Sequence, residues 1–270
     1  MPATRGSLTA YVKWRWLAGH APATIERAPA GIAAGHAERS VQIDRAATRQ
    51  ARTVLAAEIR AEAEAGHPPR GRRQAPPLTL AQLQAMLRAC PDTPAGLQDQ
   101  ALLLVGVGIA ARRGELASLR ARHIVDLGDA LRVTIPYGKR GGRTVTVSSG
   151  EHELTDPVQA RLGWAAVADL DPDEPALLQT TRWGGIRQSR AGMGDKAISE
   201  HVQACGERAG VEGLSGHTLR VSLATLSRQA GKRTEVIADQ GGWMRDSRAL
   251  LGYIHIVDEL IENATVGIGL

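Results

Sequence analysis

Phenylalanine is missing from this sequence of 270 residues, and aromatic residues make up only 3% of it. Hydrophobic residues still account for 43%, so the interior has to be built mainly from alanine, leucine and valine. Alanine and leucine stabilise helices better than most residues do. A chain of this length can form one large domain or a small domain joined to a larger one. The composition therefore predicts a sizeable aliphatic core and mainly helical structure.

Cysteine is also scarce, because Cys90 and Cys205 are the only two and lie far apart in the sequence. No Cys-x-x-Cys pair occurs, and the 8 histidines do not cluster with acidic residues at the spacing of metal ligands. The pattern argues against both a disulfide framework and a zinc site.

Long apolar runs are absent as well, since no segment approaches the length of about 18 residues that spans a membrane. The N-terminal sequence MPATRGSLTAYVKWRW lacks the apolar stretch of a signal peptide. These two absences predict a cytoplasmic protein.

Positive charge is in excess, with a formal net charge of +5. Residues 1–75 hold Lys13 and 11 arginines against 6 acidic residues, so much of the excess lies at the N-terminal end. Such a distribution suits a polyanionic partner such as nucleic acid, but it also occurs in proteins that bind nothing charged. Charge alone is therefore a weak indication of function.

Hydrophobic periodicity predicts helices near residues 7–19, 22–36 and 44–65. The Gly-, Pro- and Arg-rich stretch that follows disfavours helix, because proline lacks an amide donor and restricts the preceding residue. We therefore predict a helical domain over 1–65, a basic linker over 66–78 and a second domain over 79–270.

The second domain is predicted to begin with a helix, because the Thr79 hydroxyl can cap the amide of Gln82 while Leu78 packs on Leu83. A helical pattern runs through 97–119, interrupted by glycines. Apolar residues then alternate over 131–135 and 144–147, which predicts a β-hairpin with a basic tip. Helical patterns return near 157–170, 195–209, 217–230, 233–240 and 247–261. The predicted fold class is mainly α with a small antiparallel β-sheet: a helical N-terminal domain and an α+β second domain.

Four short motifs and a tyrosine follow one another in this second domain: Arg112-Arg-Gly-Glu-Leu116, a hairpin with Lys139 at its tip, Gly216-His-Thr-Leu-Arg220, Gly241-Gly-Trp243, and Tyr253. Taken singly, such arginines and histidines usually lie on solvated surfaces. Their order, however, resembles the tyrosine recombinase family, also called the phage integrase family. The resemblance covers about residues 79–270, and the closing segment looks like the tails of actinobacterial plasmid or phage integrases. The first domain resembles the helical core-binding domain of the family only loosely.

The resemblance implies a site-specific DNA recombinase or integrase that cleaves and rejoins strands through a 3′-phosphotyrosyl intermediate. The implied catalytic residues are Arg112, Lys139, His217, Arg220, Trp243 and Tyr253, with Glu115 and Arg113 in supporting roles. The resemblance places the nucleophile at Tyr253, and neither Tyr11, in the wrong domain, nor Tyr137, on the hairpin, is a plausible candidate. The spacing departs from the family pattern, since Tyr253 follows Trp243 by one residue more than is common. We expect His255 to be structural.

The chemistry of these residue types fits the implied roles. Fixed guanidinium groups at Arg112 and Arg220 can stabilise charge that builds up on the phosphate oxygens during attack. The Lys139 ammonium can protonate the leaving 5′-hydroxyl, and His217 can act as acid or base. A phosphotyrosine link conserves the energy of the broken bond, so no cofactor, neither ATP nor a metal, is expected.

The implied partner is double-stranded DNA, with a nucleoid-associated location in the cytoplasm. The family resemblance also implies a homo-oligomer, a dimer on one site and a tetramer in synapsis, assembled through the C-terminal tail. That tail carries an apolar set formed by Leu260, Ile261, Val266, Ile268 and Leu270. Basic residues expected to contact DNA are Lys13, Arg15, Arg70, Arg72, Arg73, Arg140 and Arg143.

Two alternatives remain open from the sequence. A type IB topoisomerase would use similar chemistry to relax supercoils without exchanging partners, although the small size and the integrase-like tail argue against it. A catalytically silent DNA-binding protein on the same scaffold is the second, and the complete set of catalytic residue types argues against that one.

Overall fold

The computed structural model describes residues 3–68, 70, 75–138 and 141–261. Its contacts divide the chain into two compact units, residues 1–74 and 75–270, and the boundary falls within the predicted linker. Leu78 is buried in the second unit, and its backbone N–H donates to Ser222 Oγ at 2.8 Å. The C-terminal end of the segment predicted as linker therefore packs with the second unit.

The first unit contains three helices, α1 (Arg5–Leu17), α2 (Pro22–Ala37) and α3 (Arg45–Glu64), close to the three predicted segments. Side chains at every fourth position of α1 form one buried stripe: Leu8, Val12 and Trp16. A matching stripe on α3 is formed by Ala47, Ala51 and Leu55. Because residues four apart share a helix face, these two stripes pack together into a small core.

The second unit contains eight described helices: α4 (Leu80–Arg88), α5 (Pro94–Gly108), α6 (Arg113–Ser118), α7 (Pro157–Ala168), α8 (Asp195–Arg208), α9 (Thr218–Gln229), α10 (Thr234–Gly241) and α11 (Arg248–Ile261). The predicted cap of α4 is confirmed, because Thr79 Oγ1 accepts a hydrogen bond from the Gln82 amide at 3.2 Å. Leu78 and Leu83 are both buried in the main core, as the cap motif predicts.

The helical pattern predicted over 97–119 is divided by a sharp turn between α5 and α6. Ala110 adopts a left-handed conformation with a φ of 48°. A right-handed α-helix cannot continue through a residue in this conformation. The last carbonyl groups of a helix lack partners within it, so this turn leaves the Ile109 and Ala110 oxygens available to other donors.

A three-stranded antiparallel sheet follows α6, with the strands in the order β1 (Ile124–Asp126), β2 (Ala130–Ile135) and β3 (Arg143–Ser148). The predicted hairpin is confirmed as β2 and β3, in which Val133 pairs with Val145. Strand β1 was not predicted, because three residues are too few to show an alternating pattern. Two single 3-10 turns, Ala121–His123 and Glu153–Thr155, precede and follow the sheet in the chain.

Helix α5 is the centre of the second unit, since the run from Ala101 to Val107 is buried on all sides. A Cβ atom on Gly108 would lie 2.5 Å from Val147 Cγ1, so the glycine lets α5 approach the sheet closely. Within the described residues, no helix combines the length and hydrophobicity needed to cross a lipid bilayer.

A buried amide ties α5 to the irregular chain between α7 and α8. Gln98 is fully buried, and its Nε2 donates to the Leu178 carbonyl at 2.9 Å. Its Oε1 accepts from the Leu178 N–H at 2.6 Å. One side chain thus completes the hydrogen bonding of a buried residue that belongs to no regular element.

Replacing Gln98 by methionine should leave the Leu178 N–H and C=O buried without partners. Each unpaired group costs about 1–3 kcal/mol, so we expect the free energy of unfolding to fall by about 2–6 kcal/mol. Gln100→Met, a half-buried neighbour on the same helix, is the matched control and should change stability by less than about 1 kcal/mol. Urea denaturation of both variants measures the difference, and equal stabilities would contradict the role of Gln98.

Candidate active site

Arg220 lies in the first turn of α9, and its side chain is almost completely buried. Its Nη1 donates to the Ala110 carbonyl at 2.7 Å and to the Gly241 carbonyl at 2.6 Å. Its Nη2 has no hydrogen-bond partner among the residues that the structure describes. Burial, reinforced by the positive charge of Arg112, lowers the pKa of the guanidinium to about 9. The site therefore holds a buried cation that keeps hydrogen-bonding capacity unused at Nη2.

Glu115 in α6 is a second fixed point, because it holds two arginines at once. Its Oε2 accepts from the Arg112 backbone N–H at 3.1 Å, and its Oε1 accepts from Arg112 Nη1. Arg143 Nη2 donates to Glu115 Oε2 at 3.0 Å and to the Ile109 carbonyl at 2.9 Å. Burial alone would raise the pKa of Glu115, but the hydrogen bonds from both arginines outweigh it and keep the pKa below its usual value. The carboxylate is therefore charged and orients Arg112.

Tyr253 lies on α11 with its ring buried, and its hydroxyl is 3.1 Å from His217 Nε2. Burial raises the pKa of the phenol, and the charges of Arg220 and Arg112 offset this only in part. Burial also lowers the pKa of His217, and the same two arginines act in the same direction. A neutral imidazole thus faces a protonated phenol at neutral pH, which is the arrangement in which a histidine can accept the phenol proton.

Trp243 contacts both Arg220 and Tyr253. The Arg220 guanidinium carbon lies 3.7 Å from the centre of the indole, within cation–π distance. The Trp243 and Tyr253 rings meet edge to face with centroids 6.4 Å apart. The chain between Trp243 and α11 absorbs the extra residue noted in the sequence, since the Tyr253 hydroxyl still reaches His217.

Two glycines make room for this packing. A Cβ atom on Gly241 would lie 1.8 Å from Trp243 Cζ3, so the indole lies directly on the backbone of α10. Gly242 ends that helix in a left-handed conformation with a φ of 60°, and a Cβ there would lie 2.9 Å from Arg143 Cδ. Any larger residue at Gly241 would displace the ring that covers Arg220.

Comparison with known proteins identifies the family of this chain. The model of the phage integrase family matches residues 77–259, more than half of the chain. The chain belongs to the phage integrase family. None of the curated proteins is a significant match to its sequence.

Solved structures share the fold at low sequence identity. The XerH site-specific recombinase bound to palindromic difH substrate matches with a TM-score of 0.59 and 15% identity, covering 96% of this chain and 71% of that one. The Tn1549 transposon integrase in complex with circular intermediate DNA gives 0.57 and 13%, covering 93% and 80%. XerA recombinase gives 0.53 and 17%, covering 92% and 85%. At these identities the likeness shows a recombinase fold.

The structure brings together most of the positions that match the motif residues of the family. Arg112, His217, Arg220, Trp243 and Tyr253 form one cluster, with Glu115 supporting it. Lys139 and Arg140 lie outside the described residues. The chain leading to them passes beside the cluster, because a Cβ atom on Gly138 would lie 3.3 Å from Glu115 Oε1.

Two further residues lie apart from the central contacts. Arg113 forms an ion pair with Asp195 at the start of α8, with Nε and Oδ2 3.2 Å apart and both side chains about half exposed. His255 lies on the exposed side of α11, where its Nε2 is 3.0 Å from Glu259 Oε1. A supporting role for Arg113 stays a prediction. From the exposed side of α11, the His255 side chain does not contact the Tyr253 hydroxyl.

Arg143 differs from the expectation of a DNA contact at the hairpin tip. Its side chain is only 14% exposed and folds inward onto Glu115 and Ile109. The alternation of β3 contains the signal, because residue 143 shares the parity of the buried Val145 and Val147 and pairs with the buried Ile135. The structure thus gives Arg143 a position that supports Arg112 through Glu115.

The basic residues of the first unit are placed unequally. Arg70 ion-pairs with Glu62 at 2.7 Å, and its guanidinium stacks 4.1 Å from the centre of the Trp16 ring. These contacts make it less suited to phosphate binding than the sequence indicated. Lys13 has a half-exposed side chain 4.0 Å from Glu58, and Arg15 lies 5.9 Å from the Tyr11 ring. Arg72 and Arg73 lie outside the described residues, so DNA contact by these basic residues stays a prediction.

Replacing Gly241 by alanine should force the Trp243 ring away from α10. We expect the free energy of unfolding to fall by about 1–3 kcal/mol, the usual cost of overpacking a filled core. Gly252→Ala is the matched control, because no atom lies within 4 Å of a Cβ placed at that helical glycine. The control should be neutral or more stable by up to about 1 kcal/mol. Thermal and urea unfolding decide the outcome, and a Gly241→Ala protein as stable as the parent would contradict the packing described.

Proposed function

We propose that this protein is a site-specific DNA recombinase or integrase that cleaves and rejoins strands through a 3′-phosphotyrosyl intermediate. The observation that carries the proposal is the 3.1 Å contact between the Tyr253 hydroxyl and His217 Nε2 beside two arginines. One of these, Arg220, keeps a buried Nη2 group that has no hydrogen-bond partner among the described residues. A phenol, an imidazole and a buried guanidinium thus lie together in a member of the phage integrase family, and these groups support the proposed roles of nucleophile, base and phosphate-binding cation.

The proposed reaction begins when the Tyr253 oxygen attacks the scissile phosphorus. His217 takes the phenol proton, a bond forms between the Tyr253 oxygen and phosphorus, and the bond from phosphorus to the 5′-oxygen breaks. Lys139 then gives a proton to the departing 5′-oxygen, which becomes a free hydroxyl. Attack by a 5′-hydroxyl on the phosphotyrosine reverses these steps and joins the strands.

Arg112 and Arg220 are proposed to bind the nonbridging phosphate oxygens. Charge on these oxygens increases in the transition state, and donors that are already fixed stabilise it without reorganising. Glu115 fixes Arg112, while two backbone carbonyls fix Arg220. The positive charges of Arg220 and Arg112 favour the phenolate form of Tyr253 and so assist attack, although burial leaves the pKa of the phenol raised in the free protein. Trp243 packs against both Arg220 and Tyr253 and so helps to hold the two side chains in position. Its indole N–H can donate a hydrogen bond to the phosphate.

Double-stranded DNA is the proposed partner, and assembly on it is part of the proposal. The XerH recombinase and the Tn1549 integrase were solved with DNA, and their fold is the one found here. We propose that two copies bind one site and four copies form the synaptic complex. The C-terminal tail is proposed to join them, and its apolar residues from Leu260 onward lie outside the described side chains.

Removing the Tyr253 hydroxyl should separate binding from chemistry. Tyr253→Phe keeps the ring that packs against Trp243, so we expect normal DNA binding with loss of the covalent complex on nicked site DNA. Tyr137→Phe, which alters an exposed tyrosine, is the matched control and should cleave normally. Denaturing gels detect the adduct, and peptide mapping locates it. An adduct on Tyr137, Tyr11 or any serine would refute the assignment, and no adduct in the parent protein would favour a silent DNA-binding protein.

Chelation should leave cleavage intact, because side-chain cations are proposed to neutralise the scissile phosphate. We expect the rate of covalent complex formation in excess EDTA to equal the rate with magnesium, at matched ionic strength. Matching matters because salt weakens DNA binding steeply. Single-turnover cleavage measures both rates, and a strict requirement for a divalent cation would contradict the proposed chemistry.

A further inference from the structure

The fold brings the two cysteines of the chain together, although the sequence indicated no relation between them. Cys90 follows the end of α4, and Cys205 lies in α8. Their sulfur atoms and a carboxylate oxygen of Asp99 all lie within 4.8 Å of one another. Both cysteines are in the free thiol form. Because the sequence contains no other cysteine, any disulfide within one chain has to join this pair.

A positive group already occupies the cluster. Arg208 Nη2 donates to Asp99 Oδ2 at 2.7 Å and to Cys205 Sγ at 3.1 Å. The other Asp99 oxygen is 2.8 Å from His201 Nδ1. A metal ion would have to displace the Arg208 guanidinium and compete with it for two of the three ligands. The arrangement favours thiol chemistry assisted by a cation over metal binding.

We propose that Cys90 and Cys205 form a reversible dithiol–disulfide pair that is oxidised by hydrogen peroxide or another two-electron oxidant. The proposal is independent of the recombinase reaction, since neither cysteine contacts the active-site cluster residues described above. A disulfide needs its sulfurs about 2.05 Å apart. Cys90 lies just beyond the end of α4 and is partly exposed, and its thiol donates to the Met86 carbonyl at 3.3 Å, so we expect its side chain to be the one that rotates.

The two thiols differ in a way that sets their order of reaction. Cys90 is partly exposed, and its hydrogen bond with Cys205 lowers its pKa. That same hydrogen bond, together with burial, raises the pKa of Cys205. An oxidant from solvent can reach the partly exposed Cys90 but not the buried Cys205, so Cys90 reacts first and Cys205 resolves the product.

Each step balances. The Cys90 thiolate attacks one peroxide oxygen, the O–O bond breaks, and a sulfenic acid and hydroxide form. The Cys205 sulfur then attacks the Cys90 sulfur as its proton passes to the departing oxygen, which leaves as water. Overall, two thiols and one hydrogen peroxide give one disulfide and two waters, and a thiol reductant reverses the change.

The test treats the full-length protein with a small excess of hydrogen peroxide, then blocks free thiols with an alkylating reagent. We expect the intact mass to fall by two hydrogens without alkylation, and non-reducing digestion to yield a peptide linking Cys90 to Cys205. Dithiothreitol should restore two thiols per chain. Cys205→Ala should instead accumulate oxidised Cys90, and Cys90→Ser should leave Cys205 alkylated only after denaturation.

Several results would overturn the proposal. The first is that both thiols stay reduced after peroxide treatment. The second is sulfinic acid on Cys90 of the parent protein while Cys205 is still a free thiol. The third is a disulfide that links two chains. Metal analysis of the purified protein distinguishes a dithiol pair from a metal site. One zinc per chain in the parent and none in Cys205→Ala would make the cluster a metal site instead.

Discussion

The candidate site depends on the burial of one guanidinium without a carboxylate of its own. Arg220 is held by two backbone carbonyls and covered by an indole, so its charge is fixed in place but not neutralised. A buried cation of this kind is costly in the free protein, and its lowered pKa reflects that cost. An anion that entered the site would recover part of this cost.

Several surrounding features hold this buried guanidinium and its neighbouring arginines in place. The left-handed turn at Ala110 divides one long helical pattern into two helices and frees the carbonyls that receive Arg220 and Arg143. Gly241 supplies the second carbonyl for Arg220 and, lacking a side chain, lets Trp243 lie against the helix. Glu115 adds the one buried carboxylate of the described cluster and uses it to hold Arg112 and Arg143. Backbone carbonyls therefore fix Arg220, whereas the Glu115 carboxylate fixes Arg112 and helps to fix Arg143.

This electrostatic field also sets the state of the nucleophile and its neighbour. Burial and two arginines keep His217 neutral, while burial keeps Tyr253 protonated. The resting site thus holds a protonated phenol beside a neutral imidazole, and both pKa shifts oppose proton transfer between them. Because the pKa of Tyr253 is raised, the free protein has little nucleophilic phenolate at neutral pH.

The sequence by itself determined the helices with clear caps and periodicity, the hairpin with its alternation, and the motif order that identifies the family. These features depend on residues close together in the chain, and Thr79 with Gln82 is an example. Only the tertiary structure decided that Arg143 turns inward, that the Ala110 carbonyl receives Arg220, and that Cys90 meets Cys205. Those contacts join segments far apart in the chain, so their geometry depends on how helices and sheet pack. The local sequence pattern specifies which face of a helix or strand each residue occupies. Long-range packing sets the distances between these residues, their burial and their pKa values.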